Sequence, residues 1–134
     1  MNTTHRWNKS LLACLCAVSL GLSACATSGL GSTPSIKTAM KGLKTEHQAA
    51  MNSATMDEFK NHVALFKQNV QYSVANIYQG SPEEQALYQQ GMQELNAGLN
   101  RLDQAIATNN LAASKQTLDG LLAVRNQYHK VLKK

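Results

Sequence analysis

The sequence predicts an all-α fold, an antiparallel up-down-up-down four-helix bundle, in the part of the chain that follows Pro34. After Pro34, apolar residues recur at spacings of three and four, and Pro82 is the only later proline. Short polar turns separate the resulting stripes, and such short connections favour antiparallel neighbours. The narrow stripes, with their spacings of three and four, suit coiled-coil-like packing at about +20°. Repeated helix-turn-helix units are the alternative all-α fold, although the sequence has no fixed repeat period.

Residues 1–24 are predicted to be a signal peptide that is removed. Arg6 and Lys9 precede an uncharged apolar run over residues 11–22, which has the length of a secretory signal core and is too short for a permanent membrane span. The following Leu22-Ser23-Ala24-Cys25 resembles the lipobox of bacterial lipoproteins. We therefore expect cleavage before Cys25 and lipidation of that cysteine. An ordinary secreted protein and an uncut signal anchor remain the alternatives.

Residues 25–34 are predicted to form a flexible tether, because they consist mainly of Ala, Thr, Ser, Gly and Pro and cannot bury a core. We expect a periplasmic protein that is attached to the membrane only by its lipid. Ala26, rather than an aspartate, follows Cys25. By resemblance to bacterial lipoproteins, this favours the outer membrane over the inner one.

The charge of the chain argues against a nucleic-acid partner. The formal net charge is +5, and Arg6 and Lys9 leave with the leader, whereas all eight acidic residues lie behind it. The remaining basic residues are spread along the predicted helices without a dense run, as on a solvated bundle surface. Cys14 and Cys16 also lie in the leader, so we expect no disulfide in the domain.

The predicted bundle covers residues 35–134. The stripe of the first helix consists of Ile36, Met40, Leu43, His47 and Ala50. Thr55 and Glu58 form a capping-box pattern that starts the second helix, and Gly80 is predicted to end it. The predicted buried face of this helix consists of Phe59, Val63, Phe66, Val70, Val74 and Ile77.

The third helix is predicted to begin at Ser81-Pro82-Glu83-Glu84, which combines a serine cap, a proline at the first helical position and two acids. Its stripe consists of Tyr88, Met92, Leu95, Leu99, Leu102 and Ile106. Asn109-Asn110 predicts a tight turn. The predicted stripe of the fourth helix consists of Leu111, Leu118, Leu122, Arg125, His129 and Leu132.

Met40 and His129 are the most informative residues on these stripes. Taken singly, such a methionine usually fills a gap, and such a histidine is usually hydrogen-bonded at the edge of a core. In an up-down-up-down bundle, the start of the first helix and the end of the fourth lie at the same end. Both side chains are therefore expected to point into that end. A thioether and an imidazole across an apolar pocket suit the two axial positions of a haem iron.

The segment Arg125-Asn126-Gln127-Tyr128-His129-Lys130 is very similar to the haem-ligating end of the cytochrome b562 family. The pattern Ile36-x-x-x-Met40-x-x-Leu43 stands where that family has its methionine ligand. The resemblance covers roughly residues 35–134, with a shorter connection between the second and third helices. It implies that Met40 and His129 are axial ligands of one haem. It places Leu43, Tyr88, Met92 and Arg125 at the pocket. Tyr88 and Met92 stand where the better-known member has aromatic residues, which is a departure from that member.

The predicted function is electron transfer at the cell envelope by one non-covalent b-type haem. The chain has no Cys-x-x-Cys-His motif, and Cys25 is the only cysteine behind the leader. Filled axial positions leave no site for a substrate, and we find no nucleophile–base pair, so we predict no enzyme. Redox proteins of the periplasm or membrane are the expected partners, and the protein is expected to be a monomer. The alternative is a haem-free helical-bundle lipoprotein with a structural or protein-binding role.

Other candidate ligands are weaker. His47 is expected to be a boundary histidine or a substitute ligand, and His62 is expected at the solvent edge. Met51 and Met56 would suggest a copper(I) thioether site. They lie near the opposite turn from Met40, which disfavours that interpretation. No Glu-x-x-His pair is present to build a di-iron centre.

Overall fold

The computed structural model describes residues 32–132, and the predicted leader and Cys25 lie outside this range. The described part of the chain forms four α-helices: α1 (Ile36–Asn52), α2 (Met56–Ala75), α3 (Pro82–Ala107) and α4 (Leu111–Leu132). α1 packs chiefly on α2 and α3 chiefly on α4, while the α2–α3 and α1–α4 contacts join the two hairpins. The predicted all-α antiparallel bundle is therefore confirmed. None of the helices in residues 32–132 is long and apolar enough to cross a membrane.

Each helix begins where a polar side chain can accept hydrogen bonds from the first turn. Thr55 forms the predicted capping box with Glu58, and Ser81, which was predicted as a serine cap, forms a second capping box with Glu84. Ser35 accepts a hydrogen bond from the Thr38 backbone amide at the start of α1. These caps satisfy amide groups that would otherwise have no partner, and they fix where the helices start.

The turn between α3 and α4 is built from two asparagines. Asn109 has a φ of 53°, a left-handed conformation that asparagine tolerates better than most residues. The Oδ1 atom of Asn110 accepts a hydrogen bond from the Ala113 backbone amide at 3.0 Å. The predicted tight turn is confirmed, and it returns α4 along α3.

The predicted end of the second helix is wrong. α2 ends at Ala75, well before Gly80, and Val74 and Ile77 are 44% and 77% exposed rather than buried. Ser73 occupies the buried position instead, because the alternation of four and three residues continues from Val70 to position 73. Beyond it, Asn76 is extended, and its Nδ2 donates hydrogen bonds to the carbonyls of Tyr72 and Pro34.

The predicted stripe of α4 is also partly wrong. Leu121 and Tyr128 are buried, whereas Leu122 and His129 are partly buried beside them. The predicted and the observed buried faces share Leu118. Beyond it, the buried residues lie one position earlier than predicted, at Leu121 and Tyr128 instead of Leu122 and His129. It follows that His129 lies at the edge of the packed core. The side chains that fill the core completely include Leu43, Phe59, Phe66, Leu95, Leu102 and Leu118.

Candidate functional site

An open cavity of about 970 Å³ lies at the end of the bundle where α1 and α3 begin and α4 ends. This volume is at the upper end of the range for small-molecule and cofactor sites. The walls come from α1, the α2–α3 connection, α3 and α4, and they are mostly apolar. The basic residues in the wall are Lys37, Lys41, Lys44, Arg125 and His129, and no described residue in it is acidic. The cavity therefore suits a largely apolar ligand that carries anionic groups.

Met40 and His129 both line this cavity, although they come from opposite ends of the domain sequence. Each is partly buried, and Met40 packs against the hydrophobic core. A thioether and an imidazole therefore face one space from the neighbouring helices α1 and α4. This is the arrangement that the up-down-up-down topology predicted.

The other predicted pocket residues divide into two groups. Tyr88, Met92 and Arg125 line the cavity together with Met40 and His129. Leu43 is fully buried one turn beyond Met40 and does not form part of the described wall. Its packing in the core supports the turn of α1 that carries Met40.

Tyr88 is held by its hydroxyl group and by its ring. The hydroxyl donates a hydrogen bond to the Ser73 backbone carbonyl at 2.8 Å, and burial raises the pKa of Tyr88 to about 12 although that bond lowers it. Its ring stacks on Tyr78 with centroids 5.1 Å apart. Tyr78 in turn donates a hydrogen bond to the Leu132 carbonyl at 3.1 Å. These contacts join the α2–α3 connection to the wall of the cavity.

Arg125 lies in the cavity wall with an unsatisfied donor. Its Nη2 donates to the Met40 backbone carbonyl at 3.4 Å and its Nη1 donates to the Asn126 side chain at 2.8 Å. Its Nε is buried and has no hydrogen-bond partner among residues 32–132. Burial also lowers the pKa of Arg125. An unpaired buried donor is costly, so this guanidinium would gain from an acidic group in the cavity.

Tyr128 and Gly91 are two of the wall residues that were not predicted from the sequence. Tyr128 is buried and donates a short hydrogen bond from its hydroxyl to the Glu94 carboxylate, and this bond raises the pKa of Tyr128. Its ring covers Gly91, where an added Cβ would lie 2.7 Å from Tyr128 Cγ. The available signal was the spacing of Leu121, Arg125 and Tyr128, which continues the four-three alternation from Leu118.

The other histidines and methionines of residues 32–132, His47, His62, Met51 and Met56, do not line the cavity. His47 is buried, and its Nε2 lies 3.2 Å from Asp119 Oδ1, which fits the boundary role. His62 pairs with Glu46 at 2.9 Å and its side chain is 37% exposed. Residues 32–132 contain no cluster of three or more His, Cys, Asp or Glu side chains that could hold a metal ion.

Comparison with known families identifies the family of the four-helix bundle. The family model described as Cytochrome b562 matches residues 35–133, which include all four helices. The chain belongs to the cytochrome b562 family. Searches of curated proteins and of solved structures each returned no significant match. Membership in the cytochrome b562 family indicates a haem-binding electron-transfer bundle and an electron carrier, which is not typically an enzyme.

Proposed function

We propose that this protein binds one b-type haem in the cavity, with Met40 and His129 as axial ligands, and carries single electrons at the cell envelope. The observation that carries the proposal is that Met40 and His129 line the same cavity from α1 and α4. A thioether and an imidazole are a known axial pair for haem iron, and thioether ligation raises its reduction potential.

The other wall residues fit the chemistry of a haem. Tyr88, Met92 and Leu95 supply apolar surface for the porphyrin, and the unsatisfied Nε of Arg125 supplies a donor for a propionate carboxylate. When bound, the haem supplies a one-electron iron couple. With both axial positions filled by side chains, no position is open for oxygen or a substrate. The residues therefore favour electron transfer over catalysis.

We propose that the haem is held without a covalent bond. A covalent thioether link requires a cysteine beside the cavity, and residues 32–132 contain no cysteine. The pocket then has to retain the haem by axial ligation, apolar contact and the cationic groups of its wall.

Titration of the full chain in nonionic detergent with haem tests this proposal. We expect saturation at one haem per chain, a higher midpoint of thermal unfolding and complete extraction of the haem into acidified organic solvent. A ligand that binds only the folded state at 100 times its Kd stabilises it by about 2.7 kcal/mol, so the shift is measurable. If stoichiometric haem changes neither the spectrum nor the unfolding midpoint, the haem-free bundle is the correct interpretation.

We further propose that the protein is a lipoprotein of the periplasm, anchored through Cys25, with the outer membrane favoured. The support is the lipobox pattern and the small, polar segment behind it. Metabolic labelling with a fatty acid should modify the wild-type chain and the Cys16→Ser variant but not Cys25→Ser. Labelling that persists in Cys25→Ser would contradict the anchor.

A further inference from the structure

Three lysines form a row along the mouth of the cavity. Lys37, Lys41 and Lys44 are exposed, and their spacings of four and three residues place them on one side of α1. All three line the cavity that contains Met40 and His129. The row covers about 10 Å of the helix axis, given a rise of about 1.5 Å per residue.

No acidic side chain of residues 32–132 forms an ion pair with this lysine row. The three ion pairs of residues 32–132 are His47–Asp119, His62–Glu46 and Lys67–Asp103, so none of them includes a lysine of the row. The described wall of the cavity contains no carboxylate. The described residues that line the cavity therefore carry a net positive charge, although Asp and Glu occur elsewhere on the helices.

A bound haem would not cancel this charge. Haem carries two propionate carboxylates, whereas the wall carries Arg125 in addition to the lysine row. At least two positive charges then remain at the mouth. Electron transfer between proteins slows steeply with distance, so a partner has to approach the haem at this open side of the bundle.

We infer that the lysine row is the docking surface for an acidic, single-electron redox protein. This inference rests on the proposed haem function and names the chemistry of the partner. Opposite charges at the two faces steer the encounter and raise the association rate. An anionic membrane surface is the less suitable occupant, because recognition of anionic lipid typically uses clusters of about four to eight basic residues and the row has three.

The test uses the full chain loaded with haem in nonionic detergent, and reduced plant-type ferredoxin as the acidic probe. In anaerobic stopped-flow experiments, the ferredoxin cluster loses one electron and the haem iron changes from Fe(III) to Fe(II). We expect the second-order rate constant to fall as salt is added. A basic cytochrome c, used to oxidise the reduced chain, should react with the opposite salt dependence.

Matched charge reversals assign the effect to the row. Lys41→Glu should lower the ferredoxin rate constant at low salt roughly three-fold, and the triple reversal at Lys37, Lys41 and Lys44 roughly ten-fold or more. Lys60→Glu changes the net charge equally at an exposed position of α2 outside the cavity wall, and it should have little effect. The haem spectrum of each variant separates loss of haem from loss of docking.

Three outcomes would overturn the inference. If the wild-type chain binds no haem, both the proposed function and the docking surface are wrong. A haem-loaded chain whose ferredoxin rate is insensitive to salt and to Lys41→Glu retains the function but has no such surface. If Lys41→Glu changes electron exchange only in phosphatidylglycerol vesicles and not in phosphatidylcholine vesicles, the row serves the membrane instead.

Discussion

Gly91 shows how closely α3 and α4 approach beside the cavity. Its backbone lies against the Tyr128 ring, and a Cβ at this position would meet ring atoms at 2.7–3.1 Å. Tyr128 immediately precedes His129, so displacement of its ring also disturbs the turn of α4 that carries the proposed ligand. The space that glycine leaves at position 91 therefore allows the Tyr128 ring to pack beside the cavity.

Gly91→Ala should destabilise the protein, although alanine is the better helix former. We expect the free energy of unfolding to fall by roughly 1 kcal/mol, because overpacking of about 1–3 kcal/mol exceeds the gain in helix propensity of about 1 kcal/mol. Haem affinity should also fall. Urea unfolding and haem titration measure the two effects.

Gly120→Ala is the matched control for this substitution. Gly120 lies within α4, and a Cβ added there would meet no packing partner within 4 Å. The control should raise the free energy of unfolding by about 0.5–1 kcal/mol. Equal stabilisation by both alanines would show that Tyr128 is not held against Gly91.

Tyr88 connects stability to alkaline pH. Its pKa is raised to about 12 in the folded protein by burial, against about 10 in an unfolded chain. The folded state therefore favours the protonated phenol. The resulting stabilisation is complete below about pH 10 and is lost as the pH rises towards 12.

Tyr88→Phe should reduce the loss of stability at alkaline pH. At neutral pH, the variant should lose about 1 kcal/mol of stability with the hydrogen bond to Ser73. Between pH 10 and 12, the free energy of unfolding should fall further in the wild type than in Tyr88→Phe. The difference between the two falls should reach about 2–3 kcal/mol. The remaining dependence includes Tyr128, whose pKa is also raised. Parallel pH profiles of the two proteins would contradict this role of Tyr88.

Burial of single side chains was the least predictable property of α4. Leu121 and Leu122, like Tyr128 and His129, are adjacent and differ by about 100° around the helix, so either of each pair could continue the stripe. Three-dimensional packing decides between them, because Gly91 and Gly98 on α3 leave space for Tyr128 and Leu121. The sequence shows where the glycines are, but it does not show which side chains of α4 pack against them.

At the level of helices, the sequence predicted where α2 and α3 begin, but it did not predict where α2 ends. Thr55 and Ser81 cap α2 and α3 through contacts with residues three positions ahead, so the sequence contains all the partners. The end of α2 depends on Asn76, whose side chain also bonds to the distant Pro34 carbonyl. A local pattern cannot report such a contact.

The two capping boxes allow a paired test of how α3 supports the cavity. Ser81→Ala and Thr55→Ala each remove one cap and should each lower the free energy of unfolding by about 1 kcal/mol. Ser81 starts the helix that carries Tyr88, Gly91 and Met92, whereas Thr55 lies in the turn at the opposite end of the bundle. Haem affinity should therefore fall in Ser81→Ala alone. Equal losses of affinity in both variants would show that α3 is not specifically involved.

For the molecule as a whole, topology was the property that predicted which residues share the cavity. Short connections predict antiparallel neighbours, and antiparallel neighbours place Met40 and His129 at one end of the bundle. The size of the cavity, the unsatisfied Nε of Arg125 and the lysine row were not predictable, because each depends on which side chains several helices leave exposed together.

The proposed axial ligands, Met40 and His129, are tested most directly by the reduced absorption spectrum of the haem-loaded full chain. We expect a sharp low-spin band in the wild type and in the controls Met56→Ala and His62→Ala, whose side chains lie outside the cavity wall. The band should disappear in Met40→Ala and in His129→Ala. A band that persists in either of these two variants, or that is absent from the wild type, would contradict the proposed ligation.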